Sequence, residues 1–294
     1  MPEWQGKSKT NKLGYQIFVW VCRNLGVRAT YFMLRFVALY YFLFSWKSSG
    51  HIYRYFRQRH HYSVLKSIVH VYKNYFVFGQ TLIDKMISMS GIKNQFTFER
   101  DGIGNLQKIT AMDRGGILIS GHAGNWEIAG QMLKDLNTKI NVVMFDGEHR
   151  KVKEYLDGVS GNRAFKIIVV REDFSHVYEI GEALQNNELV CMHADRFLQD
   201  VKIAVKMFMG APAKFPSGPF AIAATFNAPV SFVYAFKESA VHYHLYSSPI
   251  IQRDESVSKR EYSENLMNAF VDSFERMIRK YPDQWFNYYN FWSS

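Results

Sequence analysis

The stretch Gly116-Ile-Leu-Ile-Ser-Gly-His-Ala-Gly-Asn-Trp-Glu127 decides the fold class of this 294-residue chain. Its first five residues are a short apolar run of the kind that forms a buried strand, and a glycine-containing polar turn follows directly. Asn125 is suited to cap a helix that begins after it. The stretch therefore predicts a strand, a turn and a helix in immediate succession, which is the repeating pattern of α/β proteins with a parallel sheet.

The same alternation continues along the rest of the chain. Short apolar runs predict three further buried strands, and patterns of helical period predict the helices between the strands. We expect these strands at 140–145, 165–170 and 188–193, and helices at 126–136, 151–157, 175–185 and 257–280. Residues 201–209 alternate as a half-exposed strand does, and the runs at 229–236 and 241–246 predict a hairpin. The predicted fold class is α/β, with a mixed, largely parallel sheet flanked by helices.

The chain ahead of this pattern differs from it in charge. Twelve Lys or Arg residues and no acid lie between Glu3 and Asp84, whereas the remainder carries 24 bases and 26 acids. The formal net charge of +10 therefore belongs to the N-terminal part. Apolar residues there recur at helical spacing up to about residue 90. We expect a basic, helical, membrane-associating segment at residues 1–90 and an α/β domain at residues 91–294.

The most apolar part of the basic segment is residues 29–46, which only Arg35 interrupts. About 20 apolar residues cross a bilayer, so a helix here could span the membrane or lie in its headgroup layer. Residues 51–61 then alternate aromatic rings with cations, and each cation adds about 1 kcal/mol of attraction to anionic lipid. Nucleic acid is the other usual partner of such a pattern, but no nucleic-acid-binding motif is recognisable in the chain. We therefore expect the partner to be a membrane surface and not nucleic acid.

Several classes of chemistry lack their sequence signatures in this chain. Two cysteines, Cys22 and Cys191, make neither a disulfide framework nor a four-ligand zinc site, and they suit a reducing compartment. The sequence has no G-x-S-x-G elbow, no phosphate-binding glycine loop and no H-E-x-x-H helix. His242 and His244 alternate along a predicted strand, which does not by itself indicate a metal. We therefore expect neither a metal nor a bound cofactor.

His122 is the residue best placed for catalysis. It follows a predicted strand, and open α/β sheets bind their ligands beyond the carboxyl ends of the strands. Glu127, in the first turn of the next helix, is expected within reach of His122, where a carboxylate would orient the imidazole and stabilise its cationic form. Gly121 and Gly124 would let a substrate approach the backbone closely. The pattern predicts a general base acting on a hydroxyl, and the alternative is a loop histidine without a catalytic role.

Five separated motifs, taken in order, resemble those of one protein family. They are His122-Ala-Gly-Asn-Trp-Glu127, His193-Ala-Asp-Arg196, Phe208-Met-Gly-Ala-Pro-Ala-Lys-Phe-Pro-Ser-Gly-Pro219, Asn227-Ala-Pro-Val230 and Tyr281-Pro-Asp-Gln-Trp285. With the membrane-associating N-terminus, they resemble the late-acting lipid A acyltransferases, the lauroyl and myristoyl transferases of Gram-negative bacteria. The first motif looks like the catalytic H-x4-D/E motif of that family. The resemblance covers nearly the whole chain and implies a glycerolipid acyltransferase-like fold.

The resemblance also implies an activity. The protein would be a membrane-associated enzyme that moves a fatty acyl group from an acyl carrier protein or coenzyme A thioester to a lipid hydroxyl. His122 would be the general base and Glu127 its partner, at the cytoplasmic face of a bacterial inner membrane. The residues implied in substrate binding are Gly121, Gly124, Asn125, Arg163, Asp195 and Arg196.

The resemblance leaves the acceptor open. Lauroyl transferases of the family most often have Asp-Gln where this chain has Asp195-Arg196, so a lipid A precursor, a pigment-pathway substrate and an aminolipid all remain candidate acceptors. Two other classes of protein are compatible with the sequence. One is a non-catalytic lipid-binding or lipid-presenting membrane protein, and the other is a lipid hydrolase, in which water replaces the acceptor.

Overall fold

The computed structural model describes residues 12–89, 96–133, 136–145, 165–197 and 201–292. The predicted helix at 151–157 and Arg163 therefore lie outside the described residues.

A seven-stranded mixed sheet forms the centre of the structure, and a separate two-stranded hairpin lies beside it. The strands are β1 (Thr97–Asp101), β2 (Gly116–Ser120), β3 (Ile140–Phe145), β4 (Lys166–Val170), β5 (Leu189–His193), β6 (Ile203–Phe208), β7 (Ala211–Pro216), β8 (Val230–Lys237) and β9 (His242–Ser247). The order across the large sheet is β1-β9-β8-β2-β5-β3-β4. Within the described sheet, β8 and β9 pair antiparallel and every other neighbouring pair is parallel. The predicted fold class is confirmed.

The sequence predicted seven of the nine described strands, and it missed β1 and β7 for physical reasons. β1 carries one apolar side chain among five residues and lies at the edge of the sheet, so its sequence shows no alternation of apolar and polar residues that would indicate a strand. β7 contains Pro212 and Pro216, which lack a backbone N–H and argue against a strand. The hairpin β6–β7 tolerates them because it is a two-stranded sheet, in which both strands are edges.

Helices lie before the sheet and between its strands. They are α1 (Lys12–Phe44), α2 (Trp46–Arg54), α3 (Val64–Met89), α4 (Ile103–Thr110), α5 (Trp126–Leu133), α6 (Ser175–Gln185), α7 (Gly218–Phe226) and α8 (Lys259–Lys280). Helices are confirmed at the three predicted places: α5 is described as far as Leu133, α6 has the predicted bounds, and α8 begins at Lys259. The helical pattern up to residue 90 is not one helix, because a π-helical turn at Tyr55–Arg59 and a break at 60–63 precede α3.

The first helix is long, apolar and mostly uncovered. Gly26 interrupts its helical geometry with φ 81° and ψ 174°, so α1 consists of two helical stretches joined by a kink. The part Ile17–Phe44 is long and apolar enough to cross a membrane by length and composition, with a mean hydropathy of 1.3. A core helix or a signal sequence can meet the same criterion, but only 22% of this apolar window is buried within the protein.

One apolar core joins the N-terminal helices to the sheet. Ile52 and Phe56 near the π-helical turn and Val71 of α3 belong to the same buried cluster as Ile117 of β2 and Phe270 of α8. The burial of these side chains stabilises the contact between the basic segment and the α/β part. The domain boundary expected near residue 90 stays a prediction.

The register of β2 and β5 positions the candidate site. The two strands are parallel neighbours, and Ser120 at the end of β2 pairs with His193 at the end of β5. His122 lies two residues beyond the first strand and Asp195 two residues beyond the second, so the register brings them to the same edge of the sheet.

Candidate active site

His122 and Asp195 form a hydrogen-bonded pair at the carboxyl edge of the sheet. Nδ1 of His122 lies 2.7 Å from Oδ1 of Asp195. The Asp195 side chain is 1% exposed and that of His122 18%, so the pair has a buried end and an end that reaches the surface. The His193 ring is adjacent, with its centroid 4.3 Å from that of His122. This arrangement gives the imidazole a fixed orientation and a negatively charged partner.

The electrostatics of Asp195 favour its ionised form. Burial alone would raise the pKa of the Asp195 carboxyl. The charge and hydrogen bond of His122, together with the charges of Arg196 and His193, outweigh burial and hold that pKa well below its ordinary value. Trp285 adds a donor, because its Nε1–H lies 3.4 Å from Oδ2 of Asp195. An ionised carboxylate on Nδ1 keeps the proton of the neutral ring there and leaves the lone pair on Nε2.

Glu127, the partner that the sequence predicted for His122, binds a cation in this structure. Its carboxylate accepts a hydrogen bond from Nζ of Lys85, which belongs to α3. Both side chains are largely buried, at 17% exposed for Lys85 and 14% for Glu127. Lys85 also lies over the ring of Trp126. The catalytic role of Glu127 stays a prediction, and Asp195 is the carboxylate that we find on Nδ1 of His122.

The two glycines around His122 are packed against the protein. A Cβ at Gly121 would lie 2.5 Å from the ring of Phe274. Gly124 has φ +68°, and a Cβ there would lie 2.0 Å from the carbonyl oxygen of Ala235 in β8. These contacts give both positions a structural requirement for glycine. Their expected role in substrate binding stays a prediction.

Asn125 is buried and fully engaged. Its Oδ1 accepts a hydrogen bond from the backbone N–H of Ile128 at 3.4 Å, so the predicted helix cap is confirmed. Its Nδ2 donates to the carbonyl of Thr81 at 3.2 Å and to the hydroxyl of Tyr243 at 3.3 Å. The side chain therefore ties the His122 turn to α3 and to β9. The predicted contact of Asn125 with substrate stays a prediction.

The C-terminal segment holds the turn from the other side. The N–H of Gly124 donates to the carbonyl of Gln284 at 2.7 Å, and the N–H of Phe286 donates to the carbonyl of His122 at 3.4 Å. Nη2 of Arg196 donates to the carbonyl of Phe286 at 2.8 Å, so Arg196 braces the same segment. The sequence motif ending in Trp285 signalled this segment but not its contacts. The predicted contact of Arg196 with substrate stays a prediction, as does the role of Arg163.

A buried polar cluster lies behind the turn, and the sequence analysis did not predict it. Asp84 of α3 forms an ion pair with Nζ of Lys237 at 2.5 Å and accepts hydrogen bonds from the hydroxyls of Tyr31 and Tyr243. Tyr243 in turn accepts a hydrogen bond from Asn125. Burial raises the pKa of Asp84 and lowers the pKa of Lys237, although their mutual attraction opposes both changes. The available signal was that Asp84 is the first acid after Glu3 and occurs in an apolar helix.

The described residues best arranged to hold a cation lie away from His122, where β1 pairs with β9. Ligand atoms of Glu99, Asp101 and His244 all lie within 4.8 Å of one another. Nε2 of His244 is 2.9 Å from Asp101 Oδ2. Two of the three residues are exposed acids, which commonly cluster without a metal. The expectation that the protein uses no metal or bound cofactor stays a prediction.

A strand-end histidine with a buried carboxylate on Nδ1 can remove a proton from a hydroxyl or from water. The fold and this pair define an α/β protein with a strand-end histidine held by a buried carboxylate. The family model for bacterial lipid A biosynthesis acyltransferases matches residues 61–294, and the chain belongs to this family. The resemblance seen in the sequence motifs is therefore confirmed.

Two curated relatives align with part of the chain. The phosphatidylinositol mannoside acyltransferase of Mycobacterium tuberculosis strain H37Rv is 26% identical over 123 residues, which are 42% of this chain and 39% of that protein. Its counterpart in strain CDC 1551 aligns with the same identity and coverage. The alignments thus span about two fifths of the length of these relatives.

Among solved structures, the 1-acyl-sn-glycerophosphate (LPA) acyltransferase PlsC from Thermotoga maritima aligns with a TM-score of 0.39 and 15% sequence identity. The alignment covers 87% of this chain and 96% of that one.

Proposed function

We propose that the protein is a membrane-associated O-acyltransferase. It takes a fatty acyl group from a thioester of acyl carrier protein or coenzyme A and transfers it to a hydroxyl of a lipid. The acceptor is a lipid A precursor or a related bacterial lipid. Membership of the acyltransferase family supports the class of reaction. The observation that carries the proposal is the hydrogen bond between His122 and the buried Asp195 at the carboxyl edge of the sheet.

The chemistry needs one general base and no covalent enzyme intermediate. Nε2 of His122 takes the proton from the acceptor hydroxyl as its oxygen attacks the thioester carbonyl carbon. Asp195 stabilises the imidazolium that forms, because its carboxylate is ionised and 2.7 Å from Nδ1. The tetrahedral intermediate then collapses with loss of the thiolate, which receives the proton from His122. The products are an ester of the acceptor and the free thiol of the carrier.

The first helix supports a location at a membrane. Uncovered apolar side chains along α1 and at the starts of α2 and α3 include Phe36, Phe44, Trp46 and Leu65. The surrounding N-terminal segment carries the surplus positive charge of the chain. An apolar surface bordered by cations suits a membrane with anionic lipid. We place the protein at the cytoplasmic face of a bacterial inner membrane, where thioester donors are available.

The test is acyl transfer in vitro with the full chain. Purified protein is incubated with a labelled acyl-carrier-protein thioester and total lipid from a Gram-negative envelope, and the products are analysed by mass spectrometry. The wild type should produce a lipid that has gained one acyl chain. His122→Ala should lower the rate by about 10²- to 10⁴-fold without changing the thermal unfolding temperature by more than a few degrees.

The alternatives give different products. Label that appears only as free fatty acid, and that depends on His122, would identify a hydrolase. Equal activity of the wild type and His122→Ala would refute His122 as the base. The same run with a coenzyme A thioester distinguishes the two donors.

A further inference from the structure

A small basic cleft of about 20 Å³ lies beside the π-helical turn, and its basic residues belong to the stretch of aromatic rings and cations at 51–61. Its lining residues are His51, Arg54, Tyr55, Gln58, Arg59, Asn287, Tyr289, Asn290 and Trp292. Three of them are basic side chains and none is acidic. A cleft lined in this way has a positive potential and attracts anions.

The π-helical turn gathers the cations. His51 and Arg54 lie one helical turn apart at the end of α2. Arg59 ends the π-helical turn five residues after Arg54, and both residues line the cleft. Such turns are rare and occur often at functional sites. The local backbone thus sets three basic groups along one side of the segment.

These cations are not neutralised by the described part of the chain. No described acid lies within ion-pair distance of His51, Arg54 or Arg59, and the nearby carboxylate of Asp283 is held by His70 at 2.6 Å. Partial burial and the charges of Arg54 and Lys47 lower the pKa of His51. Burial also lowers the pKa of Arg59. An anion bound between these groups would relieve their repulsion and replace the water that burial removes.

Two buried polar atoms of the cleft lack hydrogen-bond partners, which indicates a ligand that forms hydrogen bonds as well as carrying charge. Nε of Arg59 and Oδ1 of Asn287 are buried without a hydrogen-bond partner, and Asn287 is only 7% exposed. The guanidinium of Arg59 lies over the ring of Trp292 at 4.7 Å, which fixes its plane. A fixed guanidinium favours a phosphate group, and the Asn287 oxygen can accept from an N–H or O–H next to that phosphate.

The cleft is linked to the His122–Asp195 pair through one buried side chain, Trp285. Tyr55 and Trp292 of its wall pack against Trp285, with ring centroids 5.3 Å and 5.6 Å away. Trp285 is the side chain that donates to Asp195. The wall of the cleft and the His122–Asp195 pair therefore contact the same indole.

We propose that this cleft binds a phosphate ester, and that the ester is the phosphopantetheine arm of the acyl donor. Acyl carrier protein and coenzyme A share this arm, which has a phosphate followed by amide N–H groups and ends in the thioester. The proposal rests on the proposed acyl-transfer function for the identity of the donor. A lipid phosphate is the other source of the same chemistry, and the experiment separates the two.

The experiment measures equilibrium binding without turnover. The full-length His122→Ala protein in detergent is titrated with two thioesters that carry the same short acyl group, one on phosphopantetheine and one on pantetheine. The fluorescence of the tryptophans and calorimetry report binding. The phosphorylated ligand should bind about 10- to 100-fold more tightly, as expected for charge-assisted hydrogen bonds. This preference should disappear in the double variant Arg54→Gln/Arg59→Gln.

A matched control removes the same charge elsewhere. The double variant Arg23→Gln/Arg28→Gln changes two exposed cations of α1 that do not line the cleft, and it should keep the preference. Arg59→Lys retains a charge but not the forked donor, and it should keep part of the preference. Thermal unfolding shows whether each variant is folded. Loss of the preference in both double variants, or its absence in the parent protein, refutes the proposal.

Two further arms separate the possible failures. If the cleft variant loses affinity for phosphorylated lipid vesicles but not for the phosphopantetheine ligand, the assignment to the donor is refuted. An active enzyme without the phosphate preference refutes the cleft alone. A folded protein that shows the preference but transfers no acyl group refutes the proposed reaction and supports the cleft.

Discussion

Replacing Asp195 with Asn should abolish most of the activity through the position of one proton. Nε1–H of Trp285 can only donate a hydrogen bond, and it faces Oδ2 of Asp195 at 3.4 Å. In the Asp195→Asn variant, the amide oxygen is therefore expected at that position. The amide that replaces the carboxylate would therefore direct its NH₂ group at His122. Nδ1 would then accept a hydrogen bond, and the ring proton would move to Nε2, the atom that must act as base.

The size of the effect follows from this change of tautomer. A catalytic histidine held in the wrong tautomer loses on the order of 10⁴ in kcat, which corresponds to about 5.5 kcal/mol of barrier. Binding of the substrates should change little, because Asp195 is 1% exposed and lies behind the imidazole. The assay is the initial rate of thiol release from the thioester donor in the presence of lipid acceptor, with kcat and KM measured separately.

Glu127→Gln is the matched comparison, since it also replaces a carboxylate by its amide. It breaks the ion pair with Lys85 but leaves the Asp195 hydrogen bond in place. We expect a loss of kcat at least about 10-fold smaller than for Asp195→Asn. A near-normal rate for folded Asp195→Asn, together with an inactive Glu127→Gln, would refute the assignment of Asp195 as the orienting carboxylate.

Three further predictions concern the surroundings of the pair. Gly124→Ala should lower the free energy of unfolding by at least about 2 kcal/mol, because φ is +68° and the new Cβ would lie 2.0 Å from a backbone oxygen of β8. An unchanged midpoint of urea unfolding would contradict this prediction. Tyr243→Phe and Tyr31→Phe each remove a hydroxyl that donates to the buried Asp84 carboxylate, and each should lower the free energy of unfolding by about 1–3 kcal/mol. Only Tyr243→Phe should lower kcat, because the Tyr243 hydroxyl also contacts Asn125. Equal rates for the two variants would count against that connection. Burial and nearby cations lower the pKa of His60 to about 4, so the unfolded state binds the proton more readily and stability falls as the pH drops from about 6.5 towards 4. Denaturant titrations between pH 7 and 4.5 should show that the free energy of unfolding of the wild type falls by roughly 1–2 kcal/mol more than that of His60→Asn, after allowance for partial exposure. An equal fall in both proteins would exclude His60 as the cause.

The two carboxylates at the site show where sequence reasoning stopped. His122 and Glu127 are five residues apart, so their expected proximity depended only on a turn and the first turn of a helix. Asp195 is 73 residues away from His122, and its contact depends on β2 and β5 being neighbours in register. The strand predicted at 188–193 placed Asp195 just beyond a strand end, but the sequence could not say which carboxylate meets Nδ1 of His122. A hydrogen bond of 2.7 Å is decided by side-chain geometry that strand order alone does not provide.

The glycines give a second example. The positive φ of Gly124 is a local feature of the backbone, and a glycine in a turn after a strand is a sequence signal for such a conformation. The close approach of the Ala235 carbonyl depends on β8 packing beside β2, which is a tertiary contact. The sequence predicted that Gly121 and Gly124 let a substrate approach the backbone, and the structure adds that a Cβ at either position would meet a neighbouring element.

The sequence by itself determined the α/β fold class, most of the strands, the basic and apolar N-terminus, the family and the position of His122. These follow from local periodicity, composition and motifs, which depend on residues close together in the chain. The tertiary structure alone decided the pairing of Asp195 with His122, the buried cluster around Asp84 and Lys237, and the basic cleft beside Trp292. Each joins residues far apart in the chain, so it depends on which strands and helices pack together and not on local sequence pattern.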